Sequence, residues 1–266
     1  MIKWILPPVF AAVAGMACAQ QTSDIATAEL LPGWRMENGN HMAGLRVRLS
    51  PGWKTYWRSP GDAGIPPHFT WEGSQNISSV VFHWPVPDVF YQNGMRSIGY
   101  ESEVVIPMEF QADGSGIAQL SGQVEIGVCQ DVCVPMQLQF SGELSPQGTR
   151  DLAIVTALVD RPQSATEANV TQVDCQVELT SDGMHLSAQI NMPDAGTNPG
   201  EEEMVIETGD RAIWVSEPET HRQGDVLMAT ADLMRVDGGA LVLDRSALRF
   251  TVLGTERSVD IMGCTG

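Results

Sequence analysis

Between Gly122 and Phe140 the chain alternates in period two on both sides of a cysteine pair. Before Cys129, Val124, Ile126 and Val128 alternate with Gln123, Glu125 and Gly127. After Cys133, Val134, Met136, Leu138 and Phe140 alternate with Pro135, Gln137 and Gln139. Successive side chains of a strand point to opposite faces, so each run reads as a half-buried strand. The connection between them, Gln130-Asp131-Val132, has a common hairpin length. The pattern predicts an antiparallel pair with Cys129 opposite Cys133, roughly 4.5 to 5.5 Å apart between Cα atoms, a span a disulfide can bridge. The closed loop is so short that the bond adds little stability by restricting the unfolded chain. A bridge of that kind is a candidate for redox chemistry. A plain structural bridge and a thiolate pair for a metal are competing readings of the same spacing.

The beginning of the chain constrains its compartment. Lys3, the mostly apolar run Trp4 to Val13 and Ala17-Cys18-Ala19 fit a cleavable secretory leader with an A-x-A site, so residues 1–19 are expected to be removed. Gly15 stands three residues before Cys18, where a lipoprotein leader carries a large aliphatic residue, which argues against lipid at Cys18. No later stretch approaches the roughly 18 apolar residues of a membrane span. Export to the periplasm permits disulfides. Cysteines 129, 133, 175 and 264 then remain, and the local pair leaves Cys175 for Cys264. That second bridge closes a long loop and is worth roughly 4 to 5 kcal/mol in the chain-entropy model. One pair is expected to be local and labile, the other long-range and structural.

Acidic side chains outnumber basic ones 13 to 7 over residues 20–150 and 20 to 7 over residues 151–266, an asymmetry that suggests two units. The net charge of −18 argues against nucleic acid and anionic membrane surfaces as partners. Short strand-like runs with turn residues between them fill both halves, which predicts an all-β chain: a β-sandwich over residues 20–148 and a second β-rich unit over 173–266. Leu45–Leu49, Val80–Trp84, Glu103–Phe110 and Ile117–Leu120 are strands expected in the first half, and Leu241–Leu243 is among those expected in the second. Asp151 to Asp160 is the helix candidate, with Leu152, Val155, Leu158 and Val159 on one face, and the polar run after Pro162 reads as a linker.

Four ordered blocks carry a family resemblance. They are Pro51-Gly52-Trp53-Lys54-Thr55-Tyr56-Trp57-Arg58-Ser59-Pro60-Gly61-Asp62-Ala63-Gly64, Trp84-Pro85-Val86-Pro87, Ser97-Ile98-Gly99-Tyr100, and Gly127 to Pro135 around the cysteines. Over roughly residues 30–145 the chain resembles the periplasmic amino-terminal domain of the thiol:disulfide interchange protein DsbD, on the branch that includes ScsB-type proteins. The resemblance implies an immunoglobulin-like sandwich with Cys129 and Cys133 as the redox pair. It implies a cap loop at Asp88-Val89-Phe90-Tyr91, with Phe90 over the cysteines and Tyr91 beside it, and site-lining roles for Tyr56 and Trp53. It implies periplasmic thiol oxidoreductases as partners, with no cofactor. Two departures stand out: the cysteines are separated by three residues where the best-known members have five, and no membrane or thioredoxin-like domain follows. A separate membrane electron donor is therefore expected. By family position Cys133 is expected to form the mixed disulfide.

The bare sequence leaves the pair's reactivity modest. No Lys, Arg or His stands next to it, and Asp131 opposes thiolate formation. The alternative reading is Cu(I) binding, since thiolates suit Cu(I) and the Cys-x-x-x-Cys spacing resembles that of Sco-type chaperones, with Met136 or His221 as a third ligand. Against it, an alternating strand follows the motif where those chaperones have a helix. No G-x-S-x-G or metal-ligand spacing supports a hydrolase.

Overall fold

A computed structural model describes residues 25–92, 94–112, 117–193 and 202–266; the leader, Cys18 and Gly15 lie outside them. The first ten strands are β1 (Ala26–Arg35), β2 (His41–Leu49), β3 (Lys54–Tyr56), β4 (His68–Thr70), β5 (Ile77–Phe82), β6 (Asp88–Gln92), β7 (Met95–Glu101), β8 (Glu103–Ala112), β9 (Ala118–Cys129) and β10 (Cys133–Leu144). They form two sheets, one ordered β1-β2-β8-β5 and the other β10-β9-β3-β7-β6, with β4 also on β9. Their facing sides bury Leu45, Trp57, Ile98, Met108 and Phe110 in the core of an immunoglobulin-like sandwich. Each such side chain contributes about 1.5 to 3 kcal/mol of burial. The early aromatics converge here: Phe69 and Phe82 lie 4.5 Å apart between ring centroids, with Trp71 and Trp84 packed around them.

Helix α1 (Leu152–Val159) follows, its first turn capped by Asp151, whose carboxylate accepts from the Ala153 amide at 2.8 Å. Its buried residues are Ile154 and Ala157, packed on Leu31, Met42 and Val105. The expected face is therefore corrected, because Leu152 and Val159 are about 80% exposed. The helix is apolar nearly all round, so periodicity could not choose the side that packs.

The second unit contains β11 (Gln163–Ser164), β12 (Gln172–Leu179), β13 (Met184–Asn191), β14 (Glu203–Glu207), β15 (Ile213–Val215), β16 (Glu219–Gln223), β17 (Val226–Arg235), β18 (Arg249–Leu253) and β19 (Ser258–Met262). One sheet runs β11-β19-β18-β14 and the other β12-β13-β17-β15, with β16 on β17. Leu186, Ile190, Met204, Phe250 and Val252 fill the core between them. The stretch read as a linker is woven in: β11 pairs parallel with β19, and Ala168 is fully buried. Leu241–Leu243 is not a strand; Leu241 and Leu243 pack on this core from an irregular segment. Apolar residues drew the strand expectation, but their backbone has no ladder partner. Conversely, β1 was hidden by Pro32-Gly33, where its pairing with β2 shifts register. Gly33 has φ 65°, and a Cβ there would lie 1.8 Å from the Met42 carbonyl oxygen, so the bulge requires glycine.

Candidate functional site

The cysteine hairpin is β9 and β10 in uninterrupted antiparallel register from Ala118–Leu144 to Cys129–Cys133. The two cysteines are bonded, with Cα atoms 4.1 Å apart, as the alternation predicts. Their surroundings differ. Cys129 is 1% exposed, whereas Cys133 is exposed at the mouth of the hairpin.

The neighbouring strand β3 lies beside β9, with Lys54 opposite Cys129 and Thr55 opposite Val128. Because strand side chains alternate, Lys54 and Tyr56 share the face of the sheet that carries both sulfurs. The Tyr56 hydroxyl donates to Cys129 Sγ at 2.8 Å and lies 3.3 Å from Cys133 Sγ. Burial pushes the Tyr56 phenol above its ordinary pKa, so it remains a donor at physiological pH. Gly127 makes room for this ring: a Cβ there would come within 3.0 Å of Tyr56 Cδ2 and 2.8 Å of Ile65 Cβ. The sequence reading found no cation beside the pair. The structure supplies Lys54 across the ladder, a neighbour that only strand pairing reveals.

Strands β6 and β7 form the adjoining hairpin, with Phe90 opposite Ser97 and Tyr91 opposite Arg96. Register puts Phe90 on the disulfide face and Tyr91 on the reverse. Lys54 Nζ lies 4.9 Å from the Phe90 ring centroid and bonds Gln92 Oε1 and Ser97 Oγ, each at 3.3 Å. Gln92 Nε2 reaches the Gln130 carbonyl at 3.4 Å, linking the tips of the two hairpins. Phe90 is half-buried on an edge strand. Trp53, expected to line the site, packs against the sandwich core. Met136 also faces that core and is 5% exposed, on the side of β10 opposite the sulfurs. It is therefore not brought to the cysteines as a third copper ligand. His221 lies on β16 in the second unit, paired with Met228.

That unit reaches the same sheet from behind. Glu203 accepts from the Tyr91 hydroxyl on one carboxylate oxygen and from Arg96 Nη1 on the other, the latter at 2.7 Å. Arg96, 7% exposed, also donates to the Met204 carbonyl at 3.3 Å. The Tyr91 phenol is pushed up to about 12, first by desolvation and then by its bond to Glu203. Arg58, just beyond β3, binds Glu207 and donates to Thr251 Oγ1 at 3.0 Å. Trp214 Nε1 donates to Asp62 at 2.8 Å. None of these long-range ties has a sequence signal.

The second bridge joins Cys175 on β12 to Cys264 just after β19, 89 residues apart. Backbone bonds flank it, with the Cys175 amide donating to the Thr265 carbonyl at 2.7 Å and the Thr265 amide to the Val173 carbonyl at 2.9 Å. Among the described residues no helix is long and apolar enough to cross a membrane.

Comparison with known proteins agrees with this arrangement. The family model described as thiol:disulfide interchange protein DsbD, N-terminal, matches residues 27–144. The crystal structure of the N-terminal periplasmic domain of ScsB from Proteus mirabilis matches with TM-score 0.64 and 25% identity, covering 91% of this chain and 92% of that one. That likeness runs past residue 144 into the second β unit. A secreted serine protease, VesC from Vibrio cholerae, aligns at TM-score 0.20 and 11% identity over 87% of this chain and 50% of that one, too slight a likeness to bear on the fold. No curated protein sequence matches. Residues 27–144, which hold the cysteine pair and the strands around it, are thus similar to the amino-terminal domain of thiol:disulfide interchange protein DsbD.

Proposed function

We propose that this chain is a periplasmic thiol–disulfide exchange module. It passes reducing equivalents from a membrane-bound dithiol donor to periplasmic partner proteins through Cys129 and Cys133. The observation that carries this reading is the asymmetry of the pair: one exposed sulfur, one buried sulfur, and a phenol donating to the buried one. The match of residues 27–144 to the DsbD amino-terminal family model supports the same chemistry.

The steps follow from that asymmetry. A donor thiolate attacks Cys133 Sγ, the accessible sulfur. The Cys129–Cys133 bond breaks, its electron pair stays on Cys129, and a donor–Cys133 mixed disulfide forms. The Tyr56 hydroxyl stabilises the departing Cys129 thiolate by hydrogen bonding to it. The donor's second thiolate then attacks the donor sulfur of the mixed disulfide. Cys133 leaves as a thiolate, and the donor becomes oxidised. Two electrons have moved, and solvent supplies the protons that the thiolates take up. With a partner disulfide the sequence runs in reverse: Cys133 attacks, and Cys129 resolves. Phe90, on the sulfur-bearing face and against Lys54, narrows the approach to the pair and leaves Cys133 open to a thiol. Cys175–Cys264 is a structural bridge and does not turn over.

The test is the reduction potential of the pair in the leader-free protein. It is equilibrated in thiol buffers under argon with copper chelated, then alkylated so that peptide masses report each bridge separately. A potential of about −270 to −120 mV is expected for Cys129–Cys133, the span of working oxidoreductases. A value below about −300 mV, with no mixed disulfide trapped by either single-cysteine variant, overturns the proposal.

A further inference from the structure

The hairpin that carries Phe90 has two faces, and the second β unit holds one of them. On the front, Phe90 shares the sulfur-bearing face and rests against Lys54. On the back, the cross-strand neighbours Tyr91 and Arg96 both bind the carboxylate of Glu203 on β14, and Arg96 also pairs with Glu217 at 3.4 Å. β6 is the outermost strand of its sheet, with β7 as its only ladder partner among the described strands. Among the described residues no strand pairs with its free edge. The hydroxyl of Tyr91, whose ring is 61% exposed, is therefore the tie that joins the outer strand of the hairpin to the second unit, while Arg96 joins the inner strand.

We infer that Glu203 is a positioning residue for thiol access: by gripping the back of the β6–β7 hairpin it holds Phe90 in place on the front and sets how readily a thiol reaches Cys133. This rests on the exchange reading above and gives residues 202–266 a part in it. The second unit acts through the cap and touches no sulfur. When the Tyr91 tie opens, the outer strand is held by Lys54, by Gln92 and by its ladder with β7, and Phe90 moves more freely. A partner that competes for Tyr91 or Glu203 while docking would open the cap as part of binding.

The test uses the full leader-free chain and dithiothreitol as the attacking thiol. The second-order rate of Cys129–Cys133 reduction is measured for the wild type, Tyr91→Phe, Glu203→Ala, Glu203→Gln and the Tyr91→Phe/Glu203→Ala double variant. Amide hydrogen exchange across residues 88–99 and the thermal midpoint are read on the same samples. Tyr91→Phe and Glu203→Ala are each expected to raise the rate roughly three- to tenfold, the scale of one ordinary net hydrogen bond, because Tyr91 is largely exposed, and to speed exchange in β6. Glu203→Gln, whose amide oxygen still accepts from Tyr91, should stay near the wild-type rate. The double variant should be no faster than Glu203→Ala alone, because both changes cut one tie.

Unchanged dithiothreitol rates in Tyr91→Phe and Glu203→Ala overturn the inference, as does a double variant whose effects multiply. A lower thermal midpoint with an unchanged rate identifies Glu203 as structural only, and also overturns it. Tyr91→Phe keeps the ring and leaves the Arg96–Glu203 pair intact, so it decides the matter if Glu203→Ala fails to fold. The exchange reading stands or falls separately, on the wild-type potential and trapped partners. Shifted dithiothreitol rates in a protein that exchanges with no partner would uphold the cap inference and sink the functional one.

Discussion

Cys129–Cys133 and Cys175–Cys264 are built from the same two atoms in contrasting settings. The first closes a loop of separation 4 at the end of a hairpin, with one sulfur open to solvent and a phenol donating to the other. The second spans 89 residues, has Cys175 buried and Cys264 partly buried, and is flanked by backbone bonds that tie Thr265 to β12. The contrast teaches that pairing alone says little about a cystine's role. Loop length decides how much the bond restrains the unfolded chain, and exposure decides whether a thiol can reach it.

The sharpest way to break that contrast is to trap partners with single thiols. Cys129→Ser leaves the exposed thiol and is expected to accumulate mixed disulfides with a thioredoxin-fold disulfide protein, while Cys133→Ser leaves a buried thiol and accumulates almost none, as read on non-reducing gels. Equal trapping by both would remove the asymmetry on which the mechanism rests. The next largest effect is on stability. Chain entropy assigns about 4.6 kcal/mol to the long-range bridge and about 2 kcal/mol to the hairpin bridge. Denaturant titration of Cys175→Ser/Cys264→Ser should therefore show a loss more than twice that of Cys129→Ser/Cys133→Ser, and the reverse order would overturn the division of roles.

Smaller in scale is Tyr56→Phe. A hydrogen bond to a charged group is worth about 1.5 to 3 kcal/mol, so losing the hydroxyl should raise the Cys129 thiol pKa by about one to two units. Thiolate absorbance of the reduced protein against pH would measure it, and an unmoved titration would mean that the phenol contacts the disulfide without serving the thiolate. The smallest effect expected is at the exposed ion pairs of Arg48 with Glu29 and Glu103, at 2.9 and 2.8 Å. Arg48→Ala should cost no more than about 1 kcal/mol. A larger loss there would show that surface charge, and not the bridges, dominates the difference between the two halves.

What was legible in the sequence was local. Alternation around Cys129 and Cys133 announced the hairpin and its register, because side-chain period and cysteine spacing are both read along a single stretch. Elimination left Cys175 for Cys264. The fold class followed from many short strands with turns between them. What was hidden depends on which strands become neighbours. Lys54 stands 75 residues before Cys129 in the chain and beside it in the sheet. Arg58 and Arg96 look like ordinary surface residues, and Tyr91 like a cap-loop neighbour of the cysteines, until β14 and β18 arrive behind them. Met136 read as a possible ligand by nearness in sequence, yet one position of strand parity turns it into the core. The helix face was misread for a related reason: Leu152 and Val159 are as apolar as Ile154, and only the packing partner distinguishes them.

Val205 on β14 and Leu253 on β18 are both 5% exposed and belong to the core of the first sandwich, not the second. The two sandwiches therefore share apolar filling across a division that charge and composition place near residue 150. A fragment stopped there would lose both plugs and present a greasy opening to water or to another copy. The intact chain should melt as one body, in a single calorimetric transition whose enthalpy matches its van't Hoff value, with neither half surviving the loss of the other.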